Sequence, residues 1–343
     1  MDTSLQRTHI VTCAQRWALT ALTLIGLTLS AGCAADQFEQ RDQRFYYRAL
    51  WNYSLRNEIP ELDSEFNGVD FGHSYLYESL LRTGGHDVAA IEGTARRDTL
   101  RFIYSRPTLP PNEEAIAPNY FRLAWRAQNT FNEAHALHRA TYDIYTSDMP
   151  DKGVALRKVL AYYQQSPYAL TAHPLDHGQL DRFPYSKGFR QKFPLFNATI
   201  WAYHYLQIGV YDPLAAAPTF DAKRVAVVPI LTTYHHYLKE PQVQWTFMPL
   251  TAEYSPKFAA DYPALKNIFD NLHMLHDNIS DILVSDLFRT WDAKREEIYR
   301  ILDTYYLAKA DATNPMIMRG HGHEHGAEMP SSPPAGLRPH QRQ

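Results

Sequence analysis

His135-Ala-Leu-His138 and His273-Met-Leu-His276 place two histidines three residues apart, twice, at an offset of 138. Residues i and i+3 share a helical face, so each pair presents two imidazoles in one direction. If two such helices face each other, four imidazoles converge, which is how helical bundles build metal sites from inward side chains. Neutral imidazole suits zinc, copper, iron and nickel. The chemistry expected of His135, His138, His273 and His276 is therefore a transition metal (Fe, Cu or Zn), held for redox work or metal handling. Haem would draw two axial histidines from the same set, although the chain lacks the Cys-x-x-Cys-His of covalent attachment. Ferritin-like sites use Glu with Glu-x-x-His, which these pairs do not match. The competing use of a repeated pair is structural, with the imidazoles bonding across helices.

The pairs belong to a longer echo. Asp143-Ile144 and Ser147-Asp148 after the first match Asp281-Ile282 and Ser285-Asp286 after the second, and Asn129 and Phe131 match Asn267 and Phe269 upstream. Asp143 and Asp281 sit about 80° round the helix from the first histidine of each pair and two turns on. They suit the orienting of a ligand or a neighbouring helix better than direct ligation. A weaker echo at offset 130 pairs Phe66-Asn67 with Phe196-Asn197, and Tyr75-Leu76 with Tyr205-Leu206. In that register Asn67 and Asn197 are placed as N-caps. His73 and His204, six and seven residues beyond them, fall on different faces and are not equivalents. Together the echoes predict a duplicated two-helix unit, with copies over about 66–148 and 196–286.

The remaining histidines carry weaker signals. His173, Asp176 and His177 could chelate a surface metal, although Pro174 interrupts them. Adjacent His235 and His236 point about 100° apart on a helix, as one half-buried and one exposed residue would. His321, His323 and His325 alternate with Gly322, Glu324 and Gly326 in a tract able to bind metal loosely. No Walker loop, Rossmann glycine fingerprint or His-Glu-x-x-His is present, and no Gly-x-Ser-x-Gly elbow. No reaction or substrate follows from these patterns.

The elements that must position these residues read as helices. Apolar periodicity predicts them over 45–53, 69–82, 88–104, 120–147, 152–165, 197–211, 220–238, 263–287 and 292–309. Asn67-Gly68 is a turn signal, Gly84-Gly85 a stop, and 166–192 an irregular stretch. Few segments alternate with period two, so the fold class expected is all-α, a duplicated helical bundle. The bulk of the chain, 42–312, forms this domain, and the Pro- and His-rich 313–343 reads as a disordered tail. A chain of 343 residues has ample volume for one large core. Its net charge is −3 and it has no basic stripe, which argues against nucleic acid. Aromatics make up 13% with 23 Tyr, enough for an aromatic small-ligand pocket but equally suited to half-buried helical positions.

The first residues carry an address. Arg7 and Arg16 precede an apolar run, Trp17 to Leu29, that is shorter than the ~20 residues of a spanning helix. Small residues then lead to Cys33. Leu29-Ser-Ala-Gly-Cys33 resembles the lipobox of bacterial lipoproteins, with Ser30 where leucine is commonest. The resemblance implies a signal peptide over 1–32, cleavage before Cys33, lipid on that cysteine and a short tether over 33–41. Two or three acyl chains anchor stably where one is marginal. With Ala34 and no Asp after the cysteine, the same resemblance implies the outer membrane, in the periplasm or at the cell surface. The only other cysteine is Cys13, inside the signal, so the domain has no thiol for a disulfide or a Cys-type zinc site. Besides a metal-binding lipoprotein, these features fit a helical scaffold that binds a protein partner, or a small-ligand binder.

Overall fold

Proline opens the helices that matter most here, because the first turn of a helix leaves its N–H groups unpaired in any case. In the computed structural model, which describes residues 45–69, 72–110, 112–241 and 247–307, α1 (Ser54–Glu58) leads into α2 (Pro60–Val69), followed by α3 (Gly72–Thr83) and α4 (Val88–Tyr104). Next come α5 (Glu113–Ile116), α6 (Pro118–Thr146) and α7 (Lys152–Tyr163). After an irregular stretch come α8 (Gly188–Lys192), α9 (Pro194–Gly209), α10 (Tyr211–Ala216), α11 (Phe220–Ala226) and α12 (Val228–Lys239). The series closes with α13 (Thr251–Tyr254), α14 (Pro256–Asp261), α15 (Pro263–Val284) and α16 (Trp291–Tyr305). The fold is all-α. The extended pairing among the described residues is an isolated bridge between Leu170 and Tyr306, which ties the irregular stretch to the end of α16. The expected signal peptide, Cys33, the tether and the tail with its histidine tract lie outside the described residues.

The centre of the molecule is the pair α6 and α15. Every residue from Ala127 to Ser147 and from Ile268 to Ser285 is buried, so both helices are enclosed on all sides. Helix α6 packs against α1, α3, α7, α10, α15 and α16, and α15 packs against α3, α8, α13, α14 and α16. Helix α9 lies between α4, α12 and α13. Such helices normally have apolar residues all round. These carry His, Asn, Asp and Arg instead, and each such group needs a partner in the core.

The two stretches of chain meet that need in parallel ways. Asp143, near the end of α6, accepts hydrogen bonds from Tyr53 N and Leu55 N (2.9 Å each) and from the Tyr46 hydroxyl. Asp281, near the end of α15, accepts from Lys187 N at 3.0 Å and Phe189 N at 2.8 Å. Each carboxylate thus holds the start of a short helix, α1 or α8, at a residue in the left-handed conformation, Tyr53 (φ 67°) or Lys187 (φ 68°). Glu78 accepts from Asn119 N and Tyr120 N at the start of α6. Asp212 accepts from Lys257 N and Phe258 N at the start of α14. Ala124, inside α6, has a non-helical φ of −136°, and Tyr262, which separates α14 from α15, has φ −132°. The break therefore recurs at the 138-residue offset of the histidine pairs.

These matches correct the weaker echo. The positions that coincide in role before the histidine helices, Tyr53 with Lys187 and Glu78 with Asp212, differ by 134, not 130. Asn67 and Asn197 are not caps but lie within α2 and α9. Asn67 bonds Asp63 (2.8 Å) and Pro107 O (2.9 Å), so the Asn-Gly turn signal is overridden by tertiary partners. Gly68 is needed there because a Cβ would fall 3.0 Å from Ile103 on α4. The helix expected over 45–53 does not form: 46–53 is loop and turn, and the first helix begins at Ser54, where Asp143 captures the backbone N–H groups of Tyr53 and Leu55.

Burial, the largest influence, pushes Asp143 and Asp281 up to about 6 against an ordinary 3.8. A carboxyl whose folded pKa lies above its unfolded one contributes stability that is present below about pH 4 and lost as pH rises through about 6. Asparagine does not titrate. The stability cost of Asp143→Asn should therefore be larger at pH 4.5 than at pH 7.5, by ~1–3 kcal/mol, in urea unfolding at the two pH values. Asp281→Asn should behave alike.

Candidate metal centre

His73 from α3, His135 and His138 from α6, His204 from α9, and His273 and His276 from α15 come together in the core. The ring centroids of His73 and His276 lie 3.9 Å apart, and those of His204 and His273 also 3.9 Å. His204 lies 6.0 Å from His276 and 6.1 Å from His73. The two sequence pairs meet crosswise, His135 with His276 at 5.5 Å and His138 with His273 at 5.7 Å. The four histidines singled out by their spacing therefore do face one another across α6 and α15. The tightest group of donors, however, is His73, His204 and His276: one ring nitrogen from each lies within 4.8 Å of the others. Spacing alone had not assigned His73 and His204 to the site. They come from different helices and do not occupy matching positions, and only the folding of α3 and α9 against α15 reveals them.

Burial dominates the electrostatics of the cluster. It pushes His204, His273 and His276 well below the usual 6.5, and the surrounding histidines push further in the same direction. These imidazoles are neutral at pH 7, which is the form that ligates metal. Both ring nitrogens of His204, His273 and His276 are buried with no hydrogen-bond partner among the described residues. A buried polar group left so costs about 1–3 kcal/mol, a cost that natural cores normally avoid. Three such rings form one contiguous group here.

The surroundings fix the rings. Phe131 lies tilted against His276 at 4.0 Å, and Phe269 stacks on His138 at 3.6 Å. Tyr211 and Tyr142 both place their hydroxyls on His138 Nδ1. Tyr142 also donates to Gln207 O at 2.8 Å, which uses its one proton and leaves its oxygen as an acceptor toward His138. Hydroxyls placed on Nδ1 in this way hold the ring orientation. Asp143 and Asp281 take no part in the cluster, being spent on backbone N–H groups, and Asp277 bonds Trp201 Nε1 at 3.1 Å. Among the described residues the converging donors are thus all imidazoles, a set suited to copper, zinc or iron rather than to calcium or magnesium.

The other histidines lie elsewhere. Asp176 is exposed and bonds Gly178 N and Arg182, and among the described residues it forms no donor group with His173 and His177. His235 is half-buried against Glu65 at 3.0 Å and His236 is exposed, as their adjacency implied. A cleft of about 500 Å³ near Lys192, Asp286 and Lys294 lies at the end of α15, apart from the imidazoles. There Lys294 donates to the carbonyls of Ile282, Leu283 and Ser285, which closes the helix end. Scans against protein-family models, curated proteins and solved structures return no match.

Proposed function

We propose that this chain is an exported, lipid-anchored protein whose helical domain, built from two related copies, binds a transition metal through buried histidines. The observation that carries the reading is the convergence of His73, His204 and His276, one ring nitrogen from each within 4.8 Å of the others. Zinc–nitrogen bonds are about 2.0–2.1 Å, so tetrahedral ligands stand somewhat closer than this, and small ring rotations would bring the three into range. Three imidazoles with a fourth position left over is an arrangement compatible with either redox chemistry or carriage. The parallel roles of Asp143 and Asp281, and the break recurring at Ala124 and Tyr262, support the two-copy reading. The lipobox at Cys33 supports the anchor, and no described helix is long and apolar enough to cross a membrane.

Two measurements on the full chain test this. Elemental analysis should find tightly held iron, copper or zinc in protein whose tail histidines, His321, His323 and His325, have been changed to alanine. His276→Ala in that background should lose at least 90% of it. A chain that holds no metal under any loading condition while remaining folded would sink the metal reading. Separately, Cys33→Ser should move the protein from the membrane to the soluble fraction of its host, and an unchanged distribution would refute the anchor.

A further inference from the structure

Three helices bring one member of the triad each, and each pair of these helices touches beside its histidines. Helix α3 meets α15 through Tyr77, one turn beyond His73, whose hydroxyl donates to His276 O at 3.3 Å and lies 2.8 Å from Ser280 Oγ. Helix α9 meets α15 through Trp201, one turn before His204, whose Nε1 donates at 3.1 Å to Asp277, the residue after His276. The remaining pair, α3 with α9, meets at Gly72 and Tyr203, the residues immediately before His73 and His204. A Cβ at position 72 would fall inside van der Waals contact of Tyr203 Cε2 and 3.1 Å from its Cζ and hydroxyl oxygen. Tyr203 is 1% exposed, so its ring has no solvent to turn into. The glycines with positive φ are Gly84 and Gly85, so at Gly72 it is this close approach, not the backbone, that requires a missing side chain.

We infer that Gly72 is a positioning residue of the metal centre: its bare Cα lets the Tyr203 ring close on α3, and this steric contact sets His73 against His204, whose ring centroids lie 6.1 Å apart. This rests on the reading of His73, His204 and His276 as a metal site and adds what holds two of its members in register. The contacts of α3 and α9 with α15 are hydrogen bonds made at fixed atoms. The contact between α3 and α9 is one of shape alone, and a close-packed interior passes a local overlap on as a shift of the elements that meet there. A methyl group at 72 therefore pushes α3 from α9 at the point where each presents its ligand. Alanine suits a helix better than glycine does, so the substitution carries no penalty from helix propensity, and its effect falls on this contact.

The test is titration of the full chain, carrying alanines at His321, His323 and His325, with zinc, copper(II) and iron(II) in turn against a competing chelator, using the ion held most tightly. Gly72→Ala is expected to weaken binding at least tenfold, since loss of a support behind metal ligands costs about 10–100-fold in affinity. Tyr203→Leu removes the ring atoms that the methyl group would strike. In that background Gly72→Ala should change affinity less than about threefold, whereas in a Tyr203→Phe background, which keeps Cε2 and Cζ, the tenfold loss should remain. The Leu background also answers if Gly72→Ala alone does not fold, because a tenfold loss there would overturn the inference. A folded Gly72→Ala that binds metal like the parent, with only its metal-free melting temperature changed, would overturn the positioning role and leave the metal reading standing. A folded parent chain that takes up none of the three ions would overturn both.

Discussion

Replacing His204 with leucine is expected to strip the centre of metal and at the same time to stabilise the metal-free protein. Leucine has nearly the volume of the imidazole and no polar atoms. In the wild-type chain His204 is buried with both nitrogens lacking hydrogen-bond partners among the described residues. Removing two unmet polar groups and burying apolar surface should gain ~1–3 kcal/mol in the absence of metal. Metal reverses the order. An ion that binds only the folded chain adds ~4 kcal/mol at a thousandfold excess over its Kd, and the leucine variant forfeits this gain. Urea unfolding of both proteins, with metal and with a strong chelator, should therefore give stability orders that cross. A structural histidine behaves oppositely: if His204 served the fold through hydrogen bonds, the leucine variant would be the less stable protein under both conditions.

That crossing also separates what could be read in the sequence from what could not. The helices bearing His135, His138, His273 and His276 were legible because i, i+3 spacing is a local property, and so were the matched Asp143 and Asp281. His73 and His204 were not, because equivalent positions in the two segments do not carry the same residue. At the 134-residue offset that relates Glu78 to Asp212, His73 corresponds to Gln207, and His204 to position 70. The histidines outside the pairs stand one helical turn apart in the two segments, and only tertiary packing shows that both reach the same cluster. Asn67 and Asn197 misled for a similar reason. An asparagine ahead of an apolar run looks like a cap, but Asn67 is claimed by Arg139 on α6 and by Pro107 O, and both asparagines lie inside helices that begin at an earlier proline.

Arg139 shows the strength of such a distant claim. Its guanidinium, buried beside His138 on α6, bonds Asp63 and donates to Asn67 Oδ1 at 2.7 Å, so it locks α2 to this histidine-bearing helix across 76 and 72 residues of chain. Helix α2 leads toward α3, which carries His73, and the lock thereby sets where His73 stands relative to α6. Arg139→Met keeps the length and apolar stem but leaves the Asp63 carboxylate buried, with Arg56 at 3.2 Å as its remaining cation. Breaking one side of a buried pair costs ~3–5 kcal/mol, and that loss is expected in urea unfolding. Removing the stranded charge as well, in Asp63→Leu with Arg139→Met, should recover most of the stability, since apolar replacements of both partners are often neutral. Metal retention should not recover with it, because the apolar pair cannot reproduce the directional bonds that seat α2 on α6. A double variant that regains both stability and metal would show that Arg139 serves only the fold. At the corresponding positions of the second segment, Asp277 takes its hydrogen bond from Trp201, so donor and acceptor have changed sides while the helix contact is kept. The helix contact recurs in the two segments with different residues making it, which is why no sequence echo marks it.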